Sequence, residues 1–467
     1  MFAPILSQSV TQPNEEKIPG GIAALVGVFT VTLLVRLLRT PNEVTYDEGV
    51  YVTGAMMLSK GLLPYRDYVL LHPPGMLLFL FPWTLGGPAF ALTAARTVAC
   101  FVGATNATLM ARLVGGRAAL PVALLWVVWP DLVASEHGAF LEPLMTCTGL
   151  GALVLLKSAP GVQRVTWAGM MCGACLLVKS WGGLWCLMAF LACPGPMRRR
   201  LVLSAVATVV VVLFPFLVAG GQEMISELFI VHVGRPPDGD LSRGVRLEQM
   251  FLARNPIPGV LTVLAIPIVL IRGGPGRIAL VGFGLLSVMF LAIAAYWNQY
   301  NSALIPFELW LLGSGLNFAL AALGRRWWVG GLVACAAAIP SVRLLVPKPP
   351  LNLQPETTAR LRVVDKELCA FESFELLLAN RLPPTTPPVL VDSYGQMLRD
   401  GLRDGARYES SYALFSSEAA QLTIRKQLAA CPALRMGWRG DWQLNAESKA
   451  LLEAQFTPLG EGLWERK

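Results

Sequence analysis

Eleven apolar runs occupy residues 20–345, at 20–38, 88–112, 117–134, 139–156, 165–179, 181–194, 201–220, 256–271, 278–296, 301–322 and 327–345. Runs of about 18 to 25 such residues are what a helix needs to cross a bilayer. Hydrocarbon leaves a segment no water with which to satisfy its backbone, so these runs predict a bundle of about eleven transmembrane helices. A hydrophobic share of 54% against 15% charged residues puts the 467-residue chain far from the soluble average and in the polytopic membrane class. A further run, Pro73 to Gly87, is too short and too Pro/Gly-bounded to span and reads as an interfacial or re-entrant helix.

Charge divides the chain. After residue 350 lie 15 of the 30 acids and 14 of the 38 bases, leaving 24 bases against 15 acids in the apolar body. Lysine and arginine in such a body set membrane orientation, so the positive balance does not indicate a nucleic-acid partner. Arg112/Arg117, Lys157/Arg164, Arg198–Arg200, Arg272/Arg277 and Arg325/Arg326 occupy alternate loops, which gives a cytoplasmic N-terminus. The long loops 40–87 and 221–255 then face outward, and so does the tail. Arg36 and Arg39 break the rule by ending the first run on the outer side, where an anion would account for them.

Residues 1–345 form the predicted transmembrane domain, and residues 346–467 a small soluble α/β domain outside the membrane. Residues 356–380 read as helical, Val389–Asp392 as a buried strand entering a polar turn, and Leu434–Gly437 and Phe456–Trp464 as further strands. Most cysteines fall in apolar runs and read as packing, the Cys172/Cys175 pair included. Cys369 and Cys431 lie in the tail, where an oxidising compartment permits a disulfide.

The loop 40–87 is the richest polar segment of the body, with Glu43, Asp47, Glu48, Asp67, Lys60, Arg66 and His72. Asp47 and Glu48 precede an amphipathic stretch, Val50 to Leu62, so helix capping alone would explain two acids there. The wider pattern says more. Thr45-Tyr-Asp-Glu-Gly-Val-Tyr51, Gly61-Leu-Leu-Pro-Tyr-Arg-Asp67, His72-Pro-Pro74 and Ala94-Ala-Arg96 resemble the opening of the GT-C glycosyltransferases of the protein O-mannosyltransferase and lipid A aminoarabinose transferase type. Leu177-Val-Lys-Ser-Trp-Gly-Gly-Leu184 and Asn298-Gln-Tyr-Asn-Ser-Ala-Leu-Ile-Pro306 resemble later segments of the same family, so the likeness covers roughly residues 20–322.

The resemblance implies transfer of a monosaccharide from a polyprenyl-phosphate carrier to a hydroxyl of a glycan, lipid or protein on the outer face of a bacterial plasma membrane. Such chemistry needs a carboxylate as general base for the acceptor and cations for the departing phosphate. By match to the family, Asp47 is the base and Glu48 a second base or acceptor orienter. Arg96 and Lys179 are the phosphate ligands, because ionisable residues within spans are costly and usually functional. Snorkelling or an internal ion pair is the competing reading of both. Tyr300 adds a hydrogen bond or belongs to an interfacial aromatic belt. His232 and Arg235, in the loop 221–255, are placed to fold over the donor headgroup.

His72 stands where many relatives carry lysine. Glu136 is a reserve acid, as are Glu142 and Glu308. Asp238-x-Asp240 resembles a metal–sugar motif but sits in a Pro/Gly turn, and the outer-side His72, His137 and His232 are compatible with a divalent metal. The competing functions are a transporter, against which the lack of paired repeats counts, and a non-catalytic subunit of a glycan assembly or export system.

Overall fold

The computed structural model describes residues 18–39, 44–157, 160–238, 242–251, 256–322, 355–385, 389–403, 405–437 and 440–467. In the body, helices follow in the order α1 (Gly21–Leu38), α2 (Tyr46–Ser59), α3 (Gly75–Leu80), α4 (Pro88–Val114), α5 (Ala119–Val128), α6 (Pro130–Ser135), α7 (Leu141–Leu156), α8 (Val162–Val178) and α9 (Gly182–Ala192). They continue with α10 (Arg198–Ile225), α11 (Val231–Gly234), α12 (Arg243–Phe251), α13 (Pro256–Arg272), α14 (Gly276–Ala292) and α15 (Asn301–Ala322). The chain is a multi-pass membrane protein, mostly helical, with a small C-terminal sheet.

Ten of the eleven apolar runs coincide with helices, but among the described residues four helical stretches are by themselves long and apolar enough to cross a bilayer: Gly21–Leu38, Pro88–Val114, Gly195–Gly234 and Asn298–Ala322. The bent pair α12 and α13 brings the number to five, and the other runs form shorter apolar helices. Proline causes one such break. Pro130 disfavours helical backbone in the residue before it, Trp129 is extended there (ψ 121°), and the run 117–134 becomes α5 plus α6. The run 327–345 and the boundary at 345 lie outside the described residues.

Two other expectations need correction. The segment from Val50 is not amphipathic, because α2 is buried continuously from Glu48 to Met57 and sits inside the protein. The segment 221–255 is largely helical: beyond a kink at Gly221 (φ 50°), a π-helical turn Ser226–Ile230 and α11 continue the line of α10, and α12 follows. Arg36 finds its anion within the chain. It is fully buried, donates Nε and Nη2 to Glu136 Oε2 at 2.9 and 2.8 Å, and donates Nη1 to the Val127 carbonyl at 2.6 Å.

The basic loops at Arg112/Arg117, Lys157/Arg164 and Arg198–Arg200 lie at one end of the bundle. Lys157 Nζ donates to the Arg112 carbonyl at 2.8 Å, Arg117 Nη1 to the Leu320 carbonyl at 3.2 Å, and Arg200 Nε to Thr166 Oγ1 at 2.7 Å. The loop 44–87 and the tail occupy the opposite end. If the basic end is cytoplasmic, an impermeant thiol reagent on intact cells is expected to label Arg407→Cys and spare Arg199→Cys, both at exposed positions. The reverse labelling would invert the map.

The tail carries a four-stranded sheet in the order β1 (Leu368–Ala370), β2 (Ala433–Arg435), β4 (Leu463–Arg466), β3 (Phe456–Gly460), with β1 parallel to β2 and the other pairs antiparallel. The stretch read as one helix over 356–380 is two, Pro355–Arg362 and Ser373–Leu378, with β1 between them. Phe456–Trp464 is a hairpin, turned by Gly460, Glu461 and Gly462, all at positive φ. Val389–Asp392 forms no strand; Asp392 makes a single bridge to Glu372 and caps the helix Ser393–Gly401, its Oδ1 accepting Gly395 N–H at 2.7 Å. Cys369 and Cys431 are joined by a disulfide across 62 residues. Closing a loop of that size removes chain entropy worth about 4 kcal/mol from the unfolded tail. Cys172 and Cys175 are buried free thiols in the core, as packing requires.

The tail docks without a gap. Its helix Ser373–Leu378 lies on α2, where a Cβ on Gly49 would stand 2.6 Å from that of Phe374. Only glycine permits that approach.

Candidate active site

Between bundle and tail lies a cavity of about 330 Å³, a size that holds small-molecule ligands. Segments far apart in sequence line it: the start of α2, the stretch Leu70–His72, the start of α7, Lys179 between α8 and α9, residues 297–300 before α15, Arg235, and Phe374, Asp392 and Tyr394 of the tail.

The first turn of α2 separates its two acids. Thr45 Oγ1 caps the helix by accepting Glu48 N–H at 3.3 Å, and successive helical residues then point about 100° apart. Asp47 faces the cavity, half-buried, and its Oδ2 accepts from Gln299 Nε2 at 2.6 Å. Glu48 turns into the protein, 1% exposed, and takes a two-pronged ion pair from α4: Arg96 Nε to Oε1 and Arg96 Nη2 to Oε2, both 2.8 Å. Neither Glu48 nor Arg96 lines the cavity.

Lys179 owes its position to a broken helix. Its backbone is extended (φ −154°, ψ 140°), which ends α8 and turns the chain into α9. The elbow is so tight that a Cβ on Gly182 would lie 2.5 Å from the Cys175 carbonyl oxygen. Lys179 Nζ donates to Glu142 Oε1 at 2.5 Å, and it stands 3.9 and 4.5 Å from the ring centres of Trp181 and Tyr300. Glu142, in the first turn of α7, also lines the cavity. Glu142 therefore occupies one of the three ammonium donors, while the rings stabilise the cation from its other sides.

Arg235 is the second cation. Its Nη2 donates to Asp238 Oδ2 at 2.8 Å and to the Tyr394 hydroxyl at 2.7 Å, and that hydroxyl in turn donates to Asp238. His72 lines the same cavity, its ring centre 5.5 Å from that of His232. Burial, then the charges of Lys179, His232 and Arg235, holds the His72 imidazole well below its usual range, so it is neutral at pH 7. The exposed His232 donates Nε2–H to the Leu71 carbonyl at 2.6 Å.

Among the described residues, no group of three or more His, Cys, Asp or Glu side chains converges as metal ligands do. Asp238 is engaged by Arg235 and Tyr394, and Asp240 lies outside the described residues.

No family model matches the chain, and no curated protein matches it by sequence. Solved structures do. ArnT from Cupriavidus metallidurans bound to undecaprenyl phosphate superposes with a TM-score of 0.51 at 16% identity, over 92% of this chain and 75% of that one. The Archaeoglobus fulgidus oligosaccharyltransferase tethered with an acceptor peptide gives a TM-score of 0.55 at 11% identity, over 95% and 74%. The AglB oligosaccharyltransferase of the same organism, in complex with an inhibitory peptide and a dolichol-phosphate, gives 0.54 at 12%, over 88% and 69%. The chain has the GT-C fold.

Within that GT-C fold, the residues singled out by sequence divide into two groups. Asp47, His72, Lys179, Tyr300 and Arg235 come together in the cavity from positions up to 253 residues apart. Glu48 and Arg96 pair with each other outside it, Glu136 pairs with Arg36, and His232 supports His72 from behind. Sequence reading passed over Tyr46, Tyr51, Gln299, Asp392 and Tyr394 as site residues. Tyr46, Tyr51 and Gln299 stand inside the motifs quoted above and were legible there. The tail residues carried no signal.

Proposed function

We propose that this protein is an integral-membrane glycosyltransferase that moves a monosaccharide from a polyprenyl-phosphate carrier to a hydroxyl of a glycan, lipid or protein acceptor on the extracytoplasmic face. One observation carries the reading: a single cavity at the end of a GT-C bundle holds the Asp47 carboxylate together with Lys179 and Arg235. The undecaprenyl and dolichol phosphates bound by the similar structures have the chemistry that such cations would hold.

The reaction is a direct displacement at the anomeric carbon. Asp47 takes the acceptor hydroxyl proton on the oxygen that Gln299 leaves open, and the hydroxyl oxygen forms the new bond to that carbon. The carbon–oxygen bond to phosphate breaks, and its electron pair leaves on the phosphate. Lys179 and Arg235 stabilise that charge in a partly dehydrated pocket, with Tyr300 and neutral His72 as uncharged donors beside them. A single displacement inverts the anomeric configuration. Glu48, fixed by Arg96, shapes the start of α2 and takes no proton.

The test is to incubate purified protein with undecaprenyl-phosphate-linked pentoses, hexoses and hexosamines and with membrane extracts as acceptor source. Release of undecaprenyl phosphate coupled to a glycosylated product is expected from at least one donor. Absence of coupled release across the set, from protein shown to bind undecaprenyl phosphate, would contradict the reading.

A further inference from the structure

The tail reaches the two working ends of the cavity through separate hydrogen bonds. At one end Tyr46, the residue before Asp47, donates its phenol hydrogen to Asp392 Oδ1 at 2.9 Å and accepts Tyr394 N–H at 2.9 Å. The first turn of α2 is thereby clamped to the capped N-terminus of the tail helix Ser393–Gly401. At the other end the Tyr394 hydroxyl accepts from Arg235 and donates to Asp238. Burial pushes the Tyr394 phenol up to about 12, so it keeps its proton at neutral pH and can serve as donor and acceptor together.

A third tie supports the wall between them. Glu227, fully buried, accepts Leu70 N–H at 2.8 Å on Oε2 and the tail's Arg399 Nη1 at 2.9 Å on Oε1. It fixes the backbone that leads into His72.

From these contacts we infer that the tail is a working part of the catalytic centre, with Tyr46 and Tyr394 as positioning residues for different steps: Tyr46 sets the Asp47 carboxylate for proton removal, and Tyr394 sets the Arg235 guanidinium for the donor phosphate. The physical reason is pre-organisation. A long arginine side chain free to rotate must lose rotamer entropy when it meets phosphate, whereas one already gripped by Tyr394 and Asp238 loses little. A base has to stand within hydrogen-bond reach of the hydroxyl it deprotonates, so a small displacement of the α2 terminus costs rate and leaves donor affinity alone. A tail that merely covered the cavity would couple to both functions equally.

The inference rests on the proposed transfer reaction, and two conservative variants of the full chain test it separately. Tyr394→Phe is expected to weaken binding of undecaprenyl phosphate about tenfold, because a less constrained Arg235 must lose rotamer freedom when it meets the phosphate. Tyr46→Phe is expected to lower kcat about tenfold with undecaprenyl phosphate affinity nearly unchanged. Should Tyr394→Phe fail to reach the membrane folded, Asp238→Asn weakens the same grip on Arg235 and replaces it. Parental behaviour of both tyrosine variants, or a loss of undecaprenyl phosphate affinity in Tyr46→Phe equal to that in Tyr394→Phe, would overturn the inference. If instead Asp47→Asn transfers sugar normally, the reaction assignment falls; the undecaprenyl phosphate affinities still report on the grip of Tyr394.

Discussion

Asp47→Asn is expected to insert and fold like the parent while sugar transfer falls by roughly 10²- to 10⁴-fold, the range that a positioned general base contributes. The amide matches the carboxylate in size, and Gln299 can still bond its oxygen, so the packing of α2 has no reason to change. What it lacks is an acceptor for the proton. The neighbouring acid supplies the control. Glu48→Gln replaces one arm of a buried ion pair, so its loss is expected in thermal stability, with kcat reduced far less per folded molecule. Near-parental turnover by Asp47→Asn would remove the base assignment. Loss of turnover confined to Glu48→Gln at unchanged stability would transfer the role one residue along.

The second large effect separates two cations that look alike in sequence. Arg96→Gln is expected to lower stability by about 3 to 5 kcal/mol, because Glu48 would be left as a buried charge without its partner. Arg96→Lys should recover only part of this, since an ammonium cannot supply the planar two-donor fork. Lys179→Gln is expected to weaken undecaprenyl phosphate binding by one to two decades, as loss of a charge-assisted contact of roughly 1.5 to 3 kcal/mol predicts. It also leaves Glu142 unpaired, so stability falls too, and Lys179→Arg should restore much of both. Measuring affinity beside thermal stability in each variant separates the two roles. Unchanged stability with lost lipid affinity in Arg96→Gln would return Arg96 to the phosphate site.

The sequence carried the fold class through its apolar runs and much of the cavity through motifs that converge on it. Asp47, Lys179, Tyr300 and Arg235 sit in short segments whose order could be matched without contact information. Partner choice could not be read in the same way. Arg96 has the composition of a phosphate ligand, but which anion it meets depends on how α4 crosses α2. Arg36 likewise sits where charge rules would not place it, because its partner Glu136 lies inside the bundle.

Helix limits failed where glycine and proline have two readings. Gly220-Gly221 looks like the start of a loop, yet the helix kinks there and continues. Val389-Leu-Val-Asp392 has the pattern of a buried strand, but its edge meets only a single bridge at Glu372 and the segment serves instead to deliver a cap. The contributions of the tail were the least legible, because Tyr394 and Asp392 gain their meaning only from contacts with Arg235 and Tyr46, 159 and 346 residues away.

The most direct measurement is a structure of the full chain with undecaprenyl phosphate bound, solved in a lipid environment. The phosphate is expected within hydrogen-bond reach of Lys179 Nζ and the Arg235 guanidinium, about 2.7 to 2.9 Å from each, with the Asp47 carboxylate open to the same cavity and Arg96 still joined to Glu48. A phosphate held at Arg96, or bound outside the cavity that Asp47 lines, would contradict the account.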